Sequence, residues 1–181
     1  HIASLLLGAA IILGLYWALR KASRKAQTWV LGVLSFSGIA AILFNLLMWG
    51  SPLEYLPLHL CSLNALVLPF AVWFKSEKLS NLLLLWSLGA LFAIIINDAS
   101  ADFKLLSWTF VFYYFPHVLE FGIPILLFSL GIIEKHPKYI VSTIAITMVI
   151  YTGVHLCNVG LNSWLEANNV LDYAGNLIQV N

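Results

Sequence analysis

Charged residues are scarce in this sequence. Lys, Arg, Asp and Glu make up 9% of the 181 residues, and 61% of the residues are hydrophobic. A typical soluble domain is about 25% charged, so this composition excludes an ordinary soluble fold. The formal net charge of +1 provides no basic surface for DNA or RNA, and we expect no nucleic-acid partner. The composition is that of an integral membrane protein.

Cysteine is also rare, because Cys61 and Cys157 are the two in the chain. Two thiols make neither a disulfide framework nor a four-ligand zinc site. Each thiol follows a His by two positions, at His59 and His155, but residues i and i+2 diverge by about 200° around a helix. Neither pair can chelate a metal from one regular helix, so we expect no metal site. We also expect no cofactor, because the sequence has neither a glycine-rich phosphate loop nor a dinucleotide fingerprint.

Six apolar segments are long enough to cross a bilayer, which requires roughly 20 helical residues. No basic segment precedes the first of them, so it predicts a membrane helix rather than a signal peptide, and we expect the chain to be part of a longer protein. The short connections predict antiparallel neighbours in one all-α polytopic membrane helix bundle, a single transmembrane domain over residues 1–181. The predicted helices cover residues 2–19, 28–49, 57–74, 79–97, 108–133 and 139–160, followed by a polar tail over 161–181.

The basic residues lie almost entirely on one side of this predicted topology. Loops 20–27, 75–78 and 134–138 contain every Lys and Arg except Lys104. Basic residues of short loops are retained in the cytoplasm. We therefore predict a multi-pass cell-membrane protein with these three loops cytoplasmic. The His1 end, loops 50–56 and 98–107 and the tail are predicted to lie outside.

Polar side chains within the predicted helices concentrate in the outer half of the bilayer. Such groups are costly in hydrocarbon and usually face the bundle interior or a water-filled cavity. By helical spacing, His117 shares a face with Glu120, and His155 shares one with Asn158. We predict that several helices direct their polar groups into one site that faces the outer leaflet. Its candidates are His59, Cys61, Ser62 and Asn64 on the third helix, His117 and Glu120 on the fifth, and His155 and Asn158 on the sixth.

His117 and His59 are the residues for which a functional role is favoured, and Glu120 differs from the other groups. A carboxyl group near the middle of the bilayer is either neutral or paired, and His117, one turn away, is its predicted partner. The amide, hydroxyl and thiol groups have ordinary structural explanations. A single Asn often forms a hydrogen bond between helices, a Ser hydroxyl often bonds the carbonyl one turn earlier, and Cys61 is equally compatible with small apolar packing.

Two segments resemble a known family. Leu-Pro-Leu-His-Leu-Cys-Ser at 56–62 and Phe-Tyr-Tyr-Phe-Pro-His-Val-Leu-Glu at 112–120 are similar to segments of the YwaF-type bacterial integral membrane proteins. They also resemble that family's eukaryotic relatives, described as acyltransferases that remodel ether phospholipids through Cys and His. The resemblance implies that His59 and His117 match the motif histidines of these relatives. The relatives' proposed nucleophilic Cys falls at Leu58, so Cys61 and Ser62 are the nucleophile candidates here.

These observations favour an integral membrane enzyme that performs acyl transfer or acyl-ester cleavage on membrane phospholipid. A Cys or Ser nucleophile attacks the ester, a His serves as general base and then as acid, and Glu120 orients His117. Asn64 or Asn158 donates to the oxyanion. The predicted catalytic residues are His117, His59, Cys61, Ser62 and Glu120, and the predicted substrate-binding residues are Asn64, His155, Asn158 and Tyr114.

Two other classes of protein fit the same pattern. A small-molecule binding or uptake subunit would use a polar, outward-facing cavity without chemistry at Cys61. A scaffold without a small-molecule site would have its outer polar groups fully hydrogen bonded to one another. The sequence leaves the oligomeric state open.

Overall fold

The computed structural model describes residues 2–48, 53, 56–96, 104, 107–172 and 175–180. Within these residues the chain is helical apart from its turns, and the one β-type pairing is an isolated bridge between Leu171 and Leu177. The predicted all-α class is therefore confirmed. The helices are α1 (Ile2–Leu19), α2 (Arg24–Leu34), α3 (Ser37–Met48), α4 (Leu60–Trp73), α5 (Glu77–Ile96), α6 (Trp108–Ser129) and α7 (Ile140–Ala167).

Five segments of the described chain are long and apolar enough to cross a membrane. They are α1, α2 together with α3, α5, α6, and the segment Pro137–Ala167 that contains α7. The sixth span, α4, has 14 residues, which corresponds to about 21 Å of helix. Because the hydrocarbon core is about 30 Å thick, α4 does not reach across it, and we infer that its first residue lies inside the membrane.

The predicted second helix, 28–49, is two helices joined at a break. The Ser23 hydroxyl accepts a hydrogen bond from the Ala26 N–H (3.3 Å), so α2 begins at Arg24, earlier than predicted. The break lies at Ser35 and Phe36, where the Ser35 hydroxyl donates to the Gly32 carbonyl (2.6 Å). Serine bonds to the preceding turn and closely spaced Gly and Ser residues are known causes of helix bending.

The predicted third helix, 57–74, begins three residues later than expected. The Leu58 N–H donates to the Leu56 carbonyl (2.7 Å) in a tight turn. His59 then has extended backbone angles, φ −140° and ψ 159°, and immediately precedes α4. Residues 56–59 therefore form an irregular segment that leads into α4.

Two helix ends also differ from the prediction. α6 ends at Ser129 rather than at 133, because Gly131 adopts a left-handed φ of +65° and the Ile132 N–H returns to the Leu127 carbonyl (2.9 Å). α7 continues to Ala167, past the predicted end at 160, and Asn169 with φ +50° follows it. The first part of the predicted polar tail is thus helical.

α6 is the central helix of the bundle, and it packs against α1, α3, α4 and α5. α7 lies at the periphery, where Thr143 and Leu165 are its buried residues. The Trp86 indole N–H holds α7 to α5 by donating to the Thr147 hydroxyl (2.9 Å). The main buried core consists of apolar side chains from several helices, including Leu31, Leu68, Val72, Leu83, Leu119, Ile123, Leu126 and Leu127.

Several residues of the predicted outer side lie outside the described part of the chain. They are His1, most of loops 50–56 and 98–107, and Asn97 at the predicted end of the fourth helix. The described end of the tail folds back onto α7, where the Asn162 side chain bonds both the N–H (2.6 Å) and the carbonyl (2.8 Å) of Val180.

Candidate functional site

His59 and Ser62 form a hydrogen-bonded pair at the start of α4. The Ser62 Oγ lies 2.9 Å from the His59 Nε2, and Ser62 is 6% exposed. The pair forms because His59 precedes the helix in an extended conformation while Ser62 lies in its first turn. A neutral imidazole with its proton on Nδ1 accepts the serine proton at Nε2. This distance is within the reach of a nucleophile and its base, roughly 2.6–3.2 Å.

A cavity of about 220 Å³ lies between the start of α4 and α7. The α7 side chains His155 and Asn158 face His59 across it, as expected from their spacing of three residues. Sequence reasoning missed Tyr151, although it precedes His155 by four residues and therefore shares its face of the helix. The cavity is lined by Leu58, His59, Leu60, Tyr151, Val154, His155 and Asn158.

Asn158 connects α7 to the irregular segment before α4. Its Nδ2 donates to the Leu58 carbonyl (2.9 Å), and its Oδ1 is buried without a hydrogen-bond partner in the described part of the chain. Non-helical backbone at membrane depth is stable only when the protein satisfies its polar groups. Asn158 therefore stabilises the backbone that positions His59.

Replacing Asn158 with alanine is expected to destabilise the protein by about 1–3 kcal/mol, because the Leu58 carbonyl then loses its donor in an apolar environment. The thermal unfolding midpoint in detergent measures the effect. Asn168→Ala is the matched control, since the Asn168 amide donates to the Trp164 carbonyl of its own helix (2.7 Å) and is exposed. Equal midpoints for the two variants would contradict the proposed role of Asn158.

His117 lies on α6, near the His59 side of the site. Its Nδ1 is 2.6 Å from the Tyr113 carbonyl, and its ring lies 4.7 Å from the Tyr113 ring centroid. A carbonyl only accepts, so Nδ1 holds the proton, and the Nε2 of the neutral ring is left as an acceptor. His59, which precedes α4, is close enough to His117 for their charges to interact, but His117 does not line the cavity.

Glu120 belongs to a second polar group, the internal polar cluster, which comprises Glu120, Asn64 and Gly38. Glu120 is 3% exposed and Asn64 is 1% exposed, and their side chains adjoin. A Cβ atom added to Gly38 would lie 2.8 Å from the Glu120 Oε1 and 2.5 Å from the Ala65 Cβ. The backbone of the first turn of α3 can therefore approach the Glu120 carboxyl group, because Gly38 has no side chain at this contact.

Glu120 does not form the predicted hydrogen bond with His117. The His117 Nδ1 bonds the Tyr113 carbonyl instead, and the Glu120 Oε2 is buried without a hydrogen-bond partner in the described residues. The carboxyl group faces α3 and α4, where its neighbours include Asn64 and Cys61. The prediction that Glu120 orients His117 directly therefore has no contact to support it.

The N-terminus of α3 offsets only part of the free-energy cost of burying an ionised Glu120. Burying a lone carboxylate costs several kcal/mol even after the protein relaxes. The N-terminus of a helix stabilises a nearby anion by about 0.3–1 kcal/mol, and by about 2 kcal/mol at most. An ionised Glu120 thus needs a further positive charge.

Two other predicted site residues have different surroundings. The Tyr114 hydroxyl donates to the Ser4 carbonyl, so it joins α6 to α1 and does not line the cavity. Cys61 is a half-buried free thiol whose sulfur interacts with its own backbone N–H and with the Glu120 carboxyl group. The structure therefore groups His59, His155 and Asn158 at the cavity, places Ser62 behind His59 through their hydrogen bond, and places Cys61, Asn64 and Glu120 together in the bundle.

The helices and their polar interior define a multi-pass helical membrane protein. The chain belongs to the TMEM164 family, whose model matches residues 1–176. No curated protein and no solved structure shows significant similarity to it. The family match supports a membrane protein and does not itself identify an activity.

Proposed function

We propose that this protein is an integral membrane enzyme that transfers or hydrolyses an acyl ester of a membrane phospholipid. The observation that supports this proposal best is the 2.9 Å contact between the Ser62 Oγ and the His59 Nε2 beside a polar cavity. A serine held by an imidazole is the usual arrangement of an activated nucleophile. The resemblance of segments 56–62 and 112–120 to acyltransferase relatives of the YwaF-type proteins supports the same class of reaction.

In the proposed reaction the Ser62 Oγ attacks the ester carbonyl carbon while the His59 Nε2 accepts the hydroxyl proton. The tetrahedral intermediate expels the lysophospholipid alkoxide, which takes that proton from His59, and an acyl-serine remains. A second lysophospholipid hydroxyl, or water, then attacks the acyl-serine and regenerates Ser62. Each half-reaction moves one proton through an imidazole, as in other serine acyl transfers.

The start of α4 supplies donors for the negative charge of the intermediate. The first N–H groups of a helix have no acceptor within the helix, and in α4 they belong to Leu60, Cys61 and Ser62. We propose that these groups stabilise the oxyanion next to the nucleophile. Asn158 is a weaker candidate for this role than the sequence suggests, because its Nδ2 already bonds the Leu58 carbonyl.

His117 is proposed as the second imidazole of the site. Its Nε2 is an acceptor in the tautomer that the Tyr113 carbonyl selects, and its ring interacts electrostatically with His59. It is therefore proposed to accept the proton of the acyl acceptor in the second half-reaction and to pass it through His59 to the departing Ser62 Oγ, so that both imidazoles end neutral. His155, which lines the cavity, is proposed to contact the phospholipid.

The proposed activity is tested by acyl exchange between labelled phospholipid and lysophospholipid in liposomes that contain the purified protein. We expect exchange with the natural sequence and a loss of about 100-fold or more in His59→Ala and His117→Ala, because a general base contributes about 10²–10⁴-fold. His136→Ala is the matched control, since His136 lies in a loop beside Glu77 (3.4 Å). Full activity of both site variants would exclude the assignment.

A binding or uptake subunit is the second candidate function. It is favoured by the break between α2 and α3, because helices interrupted within the membrane often form the ligand sites of transporters. This class predicts that a ligand stays bound during purification and that Ser62→Ala leaves its retention unchanged. The exchange assay and ligand analysis of the purified protein separate the two candidates.

We also propose the orientation and domain organisation that the basic loops indicate. Loops 20–27, 75–78 and 134–138 would be cytoplasmic, which places the start of α4 and the cavity in the outer half of a cell membrane. Residues 1–181 would form one transmembrane domain. Accessibility of single cysteines introduced at Lys25 and at Gly175 to a membrane-impermeant reagent tests this orientation.

A further inference from the structure

The internal polar cluster contains more polar atoms than hydrogen-bond partners. Within the described residues, the Glu120 Oε2 and both side-chain amide atoms of Asn64 are buried and have no hydrogen bond of good geometry, although the two side chains adjoin. Glu120 is 3% exposed and Asn64 is 1% exposed, so bulk water does not reach them freely. Buried polar groups are almost always satisfied, and groups left without a partner indicate a missing ion, proton or water.

Two prolines lie in the helices that carry the internal polar cluster. Pro69 lies inside α4 and Pro124 lies inside α6. Proline has no N–H, so each removes the helical donor of the carbonyl four residues earlier, at Ala65 and at Glu120. The side chains of these two residues are the ones nearest to a Cβ at Gly38. Both helices therefore carry a backbone acceptor without its helical donor at a residue that adjoins the cluster.

Within the described residues, no cationic side chain pairs with Glu120 to balance its ionised form. The ion pairs of the described chain join His136 to Glu77 and to Glu134, in the loops. On α4, the titratable group that faces Glu120 is Cys61. On α6, which also carries Glu120, the His117 ring bonds the Tyr113 carbonyl instead. The N-terminus of α3 contributes only a partial positive charge.

We propose that the internal polar cluster binds one positive charge at Glu120, either a proton or an alkali cation. A proton turns one carboxyl oxygen into a donor, which the Asn64 Oδ1 is placed to accept. An alkali cation is held by hard oxygen ligands, here the carboxylate and the Asn64 Oδ1. Both forms give the Glu120 carboxyl group and the Asn64 Oδ1 a partner and neutralise the carboxylate. The proposal is independent of the acyl-transfer function.

Two measurements on the reconstituted protein distinguish a proton from an alkali cation at Glu120. If Glu120 holds a proton, the infrared spectrum contains a carbonyl stretch of a protonated carboxylic acid, and this band is lost in Glu120→Gln and shifted in Glu120→Asp. If it holds an alkali cation, the thermal unfolding midpoint is higher in sodium or potassium chloride than in choline chloride, and this dependence is lost in Glu120→Gln.

Glu166→Gln is the matched control, because Glu166 is exposed near the end of α7, and it should change neither the band nor the salt dependence. The salt series and the acid band can both be recorded on the natural sequence, so the proposal can be overturned without a variant. It is overturned if the natural protein shows no protonated-carboxyl band at a pH where exposed carboxyl groups are ionised and unfolds at the same temperature in all three salts.

Discussion

Replacing Ser62 with alanine is expected to lower the proposed acyl-transfer rate by about 10³-fold or more. Loss of the attacking oxygen removes covalent catalysis altogether, and what remains is substrate binding and oxyanion stabilisation. Cys61→Ala should retain most of the activity. The two variants differ by one position in the chain and test which side chain is the nucleophile.

The contacts of the two side chains support this expectation. The Ser62 Oγ is 2.9 Å from the imidazole of His59, whereas the side chain that interacts with the Cys61 sulfur is the Glu120 carboxyl group. A thiol is nucleophilic as the thiolate, which an adjacent imidazole generates, and Cys61 has a carboxyl group in that position instead. Acyl exchange in liposomes and mass spectrometry of the trapped acyl-enzyme measure the difference. An acyl group found on Cys61, or an active Ser62→Ala variant, would reverse the assignment.

Replacing Gly38 with alanine is expected to lower stability by about 1–3 kcal/mol or more, because the added methyl group overpacks a junction of three helices. The new Cβ would lie 2.5 Å from the Ala65 Cβ and 2.8 Å from the Glu120 Oε1. Relief requires α3 to move away from α4 and α6, since the nearest atom belongs to a short, buried residue. For a chain of this size the thermal unfolding midpoint should fall by roughly 2–4 °C per kcal/mol.

Gly89 provides the matched control for this substitution. A Cβ at Gly89 in α5 meets nothing within 4 Å. Alanine is favoured over glycine within a helix by about 1 kcal/mol, so Gly89→Ala should leave the midpoint unchanged or raise it. A fall of equal size in both variants would show that the contact at Gly38 does not limit stability.

The hydrophobic pattern predicted six spans, of which five correspond to segments of the described chain long enough to cross a membrane, and it did not predict the break in the second. Hydropathy stays high through 28–49, and Ser35 and Ser37 interrupt it too briefly to indicate an end. The break depends on a serine hydroxyl that bonds the Gly32 carbonyl and on the close approach of α3 to α4 at Gly38. The approach of α3 to α4 is a tertiary contact, so it cannot be predicted from the sequence of one helix alone. The closely spaced Ser and Gly residues were the available signal.

Helical spacing predicted which polar residues share a face, but it did not predict their partners. His155 and Asn158 line one cavity as expected, and His59 bonds Ser62 at a spacing of three residues. Glu120 and His117 have the same spacing, yet they face different neighbours because α6 is surrounded by four helices. Asn158 and Tyr114 each donate to a backbone carbonyl of a distant segment. Every residue has a backbone carbonyl, so the sequence does not indicate which carbonyl a side chain will bond.

The 14 residues of α4 also have a consequence for the surrounding lipid. Phe70 is the exposed side chain of α4, so lipid meets little of this helix along its length. A helix of about 21 Å in a core of about 30 Å leaves room beyond its first residue. Under the proposed function, that room would let the ester bond of a phospholipid approach His59 and Ser62 without extraction of the lipid from the membrane.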